Sequence, residues 1–461
     1  MKNRLNNNGL KREIGLFSAT ILVIANMVGT GIFTTSGFIM QELGNPKTML
    51  LCWTAGGIFA LCGALCYGEL GAMFPKAGGE YIFLRESYGK GMAFLSGWIS
   101  LIVGFSAPIA AAAIAFAAYF FRALPNVPGL QFTLPVFGVN ILTISPVTIM
   151  AASAIIIFSM IHFHSLSLGA TVQNVLTLFK TGLILVFVAA GLFAGHGSTD
   201  HFAGGLDLSL MFQDRFAVSL IFVSFAYSGW NAAAYLGGEI KNPGRNIPLA
   251  LFAGTLLVMF FYLLLNVVYI YALSPKQMSG VLEVGTKSAD QLFGGRIGKY
   301  FSGAIAVGIL SVLSAMIMTG PRVYYAMARD GVFFKLFSRV NKVHRTPASS
   351  IFLQAGIAII MVFSASFDKL LLYIGFTLSL FAMLTAAGMI ALRIRKPDLM
   401  RTYKTFGYPV TPLFFISGNL WIIYYCIKSR PAASILGVGT IGLGILAYLY
   451  FYKRGKQSHE I

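Results

Sequence analysis

The chain is 461 residues long, 57% hydrophobic and 11% charged, with a formal net charge of +19 at pH 7. Soluble globular domains carry about 25% charged residues, so this composition excludes an ordinary soluble fold. The basic excess suggests nucleic acid, but the Lys and Arg residues sit in short segments between apolar runs, which argues for a membrane and against nucleic acid.

Twelve apolar runs follow one another near 16–40, 48–73, 91–121, 146–163, 170–194, 216–238, 247–273, 299–327, 348–366, 369–392, 408–428 and 433–452. They are close to the ~20 residues that cross roughly 30 Å of hydrocarbon. No long polar region separates them, so residues 1–461 are expected to form a single transmembrane domain. The first run is too long for a signal-peptide core and no small-residue cleavage site closes it, so no cleavable leader is expected. With Met1 in the cytoplasm, the densest basic clusters, Arg322 to Arg345 and Arg393 to Lys404, fall in inner loops, in line with the positive-inside bias. An even number of spans returns the Lys453-Arg454-Lys456 tail to the same side, where these groups also suit anionic lipid. Both termini are thus expected in the cytoplasm and the chain in the cell (plasma or inner) membrane.

In chain order, the first irregularity is ANMVGTGIFTTSGF, Ala25 to Phe38, which puts Gly29-Thr30-Gly31 in mid-span. Glycine costs roughly 1 kcal/mol against alanine inside a helix, and a backbone group freed in lipid costs several more unless something satisfies it. A break exposes N–H groups of the following half-helix, which suit a carboxylate, and C=O groups of the preceding one, which suit an ammonium. Gly29 and Gly31 either admit a ligand to the backbone or serve close helix packing. Cys52, Cys62, Cys66 and Cys426 all lie in apolar runs. Cys62 and Cys66 share a helix face, but no His or carboxylate joins them at mid-depth, so they read as packing residues and no metal is expected. Glu69, Lys76, Glu80, Arg85 and Glu86 flank the polar stretch after the second run. They read either as an ion-pair latch, with Glu239, Lys241 and Arg322 as partners, or as solvated loop charges. His162 and His164 read as interfacial histidines.

Lys180, in NVLTLFKTGLILVFVAAG, is the charge that stands out at depth. An ammonium there costs at least about 2.5–3.5 kcal/mol, and no Asp or Glu lies at a similar depth. Backbone carbonyls and hydroxyls are its expected partners, above all the carbonyls freed by the first break; the alternative is a snorkelling structural lysine. The sixth run is broken like the first: FVSFAYSGWNAAAYLGG, residues 222–238, holds Ser228-Gly229 and Asn231 in mid-span. Glycine-interrupted spans at corresponding positions of two halves point to a transporter's central site. Five spans per half force opposite orientations, so repeats of about 14–195 and 214–394 are inverted, with two more helices in about 407–453. Two facing breaks offer a zwitterion a site built from main chain.

At these residues the chain resembles the amino acid–polyamine–organocation superfamily, and within it the amino acid permeases. The resemblance is carried by VGTGIFTTSG in the first run, YGELGAMFPKAGGEYIFLRESYG (Tyr67 to Gly89), FAYSGWNAAAYLGGEIKNPGRNIPLAL (Phe225 to Leu251) and PRVYYAMARDG (Pro321 to Gly331). It implies an all-α polytopic membrane protein of the LeuT type: twelve transmembrane helices in a 5+5 inverted repeat plus two, with helices 1 and 6 unwound at mid-membrane. Bacterial relatives of the L-type neutral amino acid exchangers share the FAY-x-GW form of the sixth helix and a lysine in the fifth. By this resemblance the substrate carboxylate sits on the amides of Thr30 and Gly31, beside Val28 and Gly29. Its ammonium meets carbonyls of Met27, Phe225 and Ser228, with Ala226 and Tyr227 in the same wall. Phe225 is the implied thin outer gate, joined by Trp230, and Lys180 fills the space of a sodium ion in sodium-coupled relatives. Side-chain specificity is expected from helices 3, 6, 8 and 10, with Ser106, Ala107, Ser311 and Ser314 placed by spacing.

The pocket so drawn holds no acidic side chain, which makes a neutral L-amino acid the expected substrate. Transport is expected to be sodium-independent, by alternating access, as exchange or facilitated transport. The alternatives are proton-coupled symport, with Lys180 cycling the proton, and antiport of cationic amino acids or polyamines, with Trp230 supplying a cation–π face. A channel calls for polar residues at successive depths on several helices, and a membrane enzyme for a Ser/His, paired-carboxylate or His/Asp constellation. The runs carry neither pattern, so no enzyme activity and no cofactor is expected. Heteromeric eukaryotic relatives dock a glycoprotein through an outer-loop cysteine that this sequence lacks. The expected partners are therefore the amino acid and membrane lipids, without a glycoprotein subunit.

Overall fold

The structure, a computed structural model, describes residues 10–124, 131–136, 139–341, 344, 346–364, 367–429 and 431–457. Met1 and Arg345, used above for orientation, lie outside them. Helices dominate, because hydrocarbon leaves a spanning backbone no partner but itself.

Helices α1 (Leu16–Met27) and α2 (Thr30–Leu43) are bent by 41° at the break between them. Helix α3 (Pro46–Met73) opens on Asn45, whose side chain accepts from the amides of Lys47 and Thr48, with Pro46 in the first turn. Short α4 (Glu80–Tyr88) leads to α5 (Lys90–Ile99) and α6 (Ala107–Ala123), joined by a seven-residue π-helix, Ser100–Ser106. Together they form one continuous span, Lys90–Ala123, over the third run. A two-stranded antiparallel hairpin, Phe132–Val136 with Val139–Ile144, pairs Phe132 with Ile144 and was not foreseen.

Helix α7 (Pro146–His164) starts on a Ser145–Thr148 capping box and α8 (Leu166–Ala194) follows across Ser165. The sixth run forms α9 (Asp214–Ala226) and α10 (Ala232–Tyr235). Then come α11 (Pro243–Ala272), α12 (Pro275–Met278), α13 (Val284–Phe293), α14 (Gly295–Thr319) and α15 (Pro321–Arg329). Helices α16 (Ala348–Ser364), α17 (Phe367–Arg395), α18 (Val410–Ser429) and α19 (Pro431–Gln457) complete the chain. Among the described residues, nine helices are long and apolar enough to cross a membrane, or ten with the bent α1–α2 pair. Exposed apolar side chains such as Phe193, Val186 and Ile435 give the outer face the character of a lipid-facing surface.

Helix α3 packs along α11, α6 along α14 and α7 along α16. One end of the bundle is closed by main chain: Ile14 bridges Ile240, Ala77 bridges Leu236, and the Gly78 amide donates to Tyr235 O at 3.0 Å. Ion pairs reinforce that closure. Arg322 donates to both oxygens of Glu239, at 2.9 and 2.7 Å, with both side chains buried. Glu69 accepts from Arg393 and from the Thr405 amide and hydroxyl, and Arg85 bridges Asp330 and Glu86. Within the charged segment, Glu69 is thus paired with Arg393 on α17 and Arg85 with Asp330 just after α15, whereas Glu239 and Arg322, expected as its partners, pair with each other. Lys76 and Lys241 are exposed.

Candidate functional site

Helix α1 ends where glycine stops it, leaving carbonyls with no intrahelical partner. Side chains take most of them. Lys180, buried on α8, donates from Nζ to Ala25 O at 3.2 Å and to Val28 O. The Tyr262 hydroxyl, from α11, reaches Met27 O at 2.7 Å and Ala226 O at 2.9 Å. A hydroxyl has one proton, so these two carbonyls share it, and one side chain ties both breaks together. On the far side of the break, α2 begins at Thr30 with Gly29 as a cap that offers no side chain. The first amides of α2 therefore face the gap at the positive end of a helix.

The glycines let the two broken helices touch. A Cβ on Gly31 would lie 2.7 Å from Ala226 Cα, and one on Gly229 would lie 2.9 Å from the Asn26 carbonyl carbon. Gly229 also has φ +98°, a conformation that costs a side chain dearly. Gly31 thus makes the helix contact, while the atoms nearest a Cβ on Gly29 belong to Val312 at ordinary distance, and both glycines line the space beside the breaks.

A cavity of about 150 Å³ lies against these breaks. One water needs about 10–15 Å³ on that measure, so the space suits a small organic molecule. Its wall includes Met27, Gly29, Thr30, Gly31, Phe225, Ala226, Tyr227, Ser228 and Trp230. Val28 is adjacent and turns its carbonyl to Lys180. The positions placed by spacing stand elsewhere. Ser311 donates to Gly308 O at 2.9 Å, Ser314 meets His162 Nε2 at 2.8 Å, and Ser106 and Ala107 are buried away from the wall. Ser100, Gly104, Phe105 and Pro108 from the third span, with Val312 and Met316 from α14, line the cavity instead. Helices α3 and α18 contribute too, through Gly56, Phe59, Ala60, Phe415 and Asn419. The expectation of a pocket without an acid is corrected: Glu80 lies in its wall. His162 is buried at its hydrogen bond to Ser314 and is not interfacial, whereas His164 is exposed. Trp230 stands edge-on to Tyr67 and Phe415.

Sequence reasoning missed Tyr262, Glu80 and the walls from α3 and α18. Tyr262 sits in FFYLLLN, where a tyrosine looks like one more apolar residue; its partner carbonyls are remote in sequence. Tyr262→Phe should lower the thermal unfolding midpoint by the equivalent of about 1–3 kcal/mol, since it removes a donor from two buried carbonyls. A midpoint equal to that of the unaltered protein would mean that the carbonyls find another donor.

No group of three or more His, Cys, Asp or Glu residues suited to a metal occurs among the described residues. Compared with known proteins, residues 14–447 match the amino acid permease family. The chain is 31% identical to the serine/threonine exchanger SteT of Bacillus subtilis, over 98% of this chain and 99% of that one. It is 30% identical to the mouse b(0,+)-type amino acid transporter 1, over 97% and 88% of the two chains. It is 27% identical to the mouse large neutral amino acids transporter small subunit 2, over 95% and 81%. These relatives are transporters and exchangers, not enzymes. A match this long, on a helical membrane fold, shows that the chain belongs to the amino acid permease family of the amino acid–polyamine–organocation superfamily.

Proposed function

We propose that the protein carries neutral L-amino acids across the cell membrane by alternating access, without sodium, through exchange or facilitated transport. The observation that carries this reading is the cavity between two broken helices, with uncapped amides of α2 on one side. In the proposed pose the α-carboxylate meets the amides of Thr30 and Gly31. The ammonium rests on the carbonyls of Met27, Phe225 and Ser228, since a carbonyl oxygen keeps a second lone pair when Tyr262 or a backbone amide takes the first. Phe225 and Trp230 act as the gate. Lys180 supports sodium independence, because its ammonium stands where a coupling cation would need the same carbonyls.

Twelve spans follow if the broken α9–α10 pair and α16 each cross, added to the ten counted above. The pairing of α3 with α11, α6 with α14 and α7 with α16 supports repeats of about 14–195 and 214–394. An even count puts both termini on one face, and the basic clusters favour the cytoplasmic one. We take the chain to work without a glycoprotein subunit. Uptake of labelled neutral amino acids into proteoliposomes tests the whole reading. Saturable uptake, raised by counter-substrate inside and equal in sodium and choline salts, is the expected result. Strong stimulation by sodium, or no uptake of any amino acid, overturns it.

A further inference from the structure

Glu80 is the one formally charged side chain in the cavity wall among the described residues. It opens α4 and is 6% exposed. No cation meets it. Lys76 is exposed, Arg85 is held by Asp330 and Glu86, Arg322 by Glu239, and Arg393 by Glu69. Hydroxyls surround it instead. From α10, Tyr235 donates to Oε2 at 3.2 Å and itself accepts from Asn231 Nδ2 at 3.3 Å. From α17, Thr385 Oγ1 lies 3.3 Å from Oε1 and only 2.9 Å from Phe381 O. From α3, the Tyr67 hydroxyl stands beside the carboxyl with no hydrogen-bond partner. Tyr324, on α15, is near enough to Tyr235 to act on it electrostatically, and its own hydroxyl donates to Gln354 Oε1 at 3.0 Å.

Proton counting favours a neutral acid in this cage. If Thr385 gives its single proton to Phe381 O, its lone pairs are free to accept a proton carried on Glu80 Oε1. Oε2 then keeps its donor, Tyr235, and both carboxyl oxygens and Thr385 are satisfied, with Tyr67 alone left unpaired. An ionised Glu80 would have hydroxyls alone in place of water and no counter-charge, a costly arrangement. Burial pushes the carboxyl up to about 7, against a partial offset from Tyr67, Tyr235 and Thr385.

We propose that Glu80 is the proton-binding group of this cavity: closure over an amino acid requires a proton on its carboxyl, and opening to water releases it. One proton enters from bulk water and returns to it, and no other bond changes. The idea rests on the transport reading above. A role for Glu80 as ion-pair partner of a cationic substrate is disfavoured, because hydroxyls already engage both oxygens and Tyr235 stands between the carboxyl and Asn231 at the break.

The test is exchange of a labelled neutral amino acid by the full chain in proteoliposomes, at matched inner and outer pH from about 5.5 to about 8.5. Exchange should be flat at low pH and fall through neutrality, approaching about tenfold per pH unit, the limit for one proton. Glu80→Gln, an amide fixed in the neutral shape, should lose that fall, and Glu80→Asp should keep it. Flat exchange by the unaltered protein, or its full pH profile retained in the Gln variant, overturns the proposal. So does a Gln variant that still binds amino acids by thermal shift yet exchanges none, because the ionised form is then the working one. Selective loss of lysine and arginine uptake in that variant would make Glu80 a side-chain subsite and also overturns it. If the Gln variant fails to fold, the unaltered protein and the Asp variant still decide. Flat profiles in those two sink the proposal, whereas no amino acid exchange at any pH refutes transport itself.

Discussion

Lys180→Ala should cut amino acid exchange at least about tenfold while leaving a folded protein. The ammonium donates to Ala25 O and Val28 O, one on either side of the turn where α1 stops. A hydrogen bond from a charged group contributes about 1.5–3 kcal/mol, and each 1.36 kcal/mol is tenfold in rate. Stability should move less than transport. The alanine loses those bonds but also escapes the cost of an ammonium at depth, about 2.5–3.5 kcal/mol, and the two nearly cancel. The loss should therefore appear in exchange, with the break free to adopt unproductive shapes. Exchange at the normal rate in proteoliposomes would reduce Lys180 to a packing residue.

Arg322→Ala should be the most destabilising single change. The guanidinium is 1% exposed, lies on a fully buried Glu239, and also reaches Met318 O. Removing one member of a buried pair costs about 3–5 kcal/mol, because the partner is left charged and dry. Replacing both, as Arg322→Met with Glu239→Leu, should recover much of that loss, since no charge is then stranded. Thermal unfolding of the three variants in detergent checks the order. If Arg322→Ala unfolds at the same temperature as the unaltered protein, water must reach this pair and it does not hold the end of the bundle shut.

Much of the site was legible because breaking a span is expensive. Glycines at Gly29, Gly31 and Gly229 had to have a reason, and so did an ammonium at Lys180; each led to the junction where the cavity lies. Phase was harder. A one-residue error turns a helix by about 100°, which is how Ser311 was chosen while Val312 faces the cavity. In the third span the π-helix over Ser100–Ser106 shifts the register as well, so Ser106 turns away and Phe105 faces in. Such segments are frequent at functional sites, but SLIVGFS carries no local mark of one beyond Gly104. In sequence, Glu80 reads as either a latch charge or a solvated loop charge, because it lies among Lys76, Arg85 and Glu86 in the stretch after the second run. Its true surroundings, Tyr235 and Thr385, come from helices that only the fold brings near.

The reciprocal seating of Gly31 on Ala226 and Gly229 on Asn26 limits how this molecule moves. With main chain against main chain at both points, the crossed segments have no layer of side chains to shear across. They can tilt about their crossing as about a pivot, but sliding would drive backbone into backbone. In the alternating-access reading proposed above, the two interrupted helices would therefore turn about this crossing and not slide past one another.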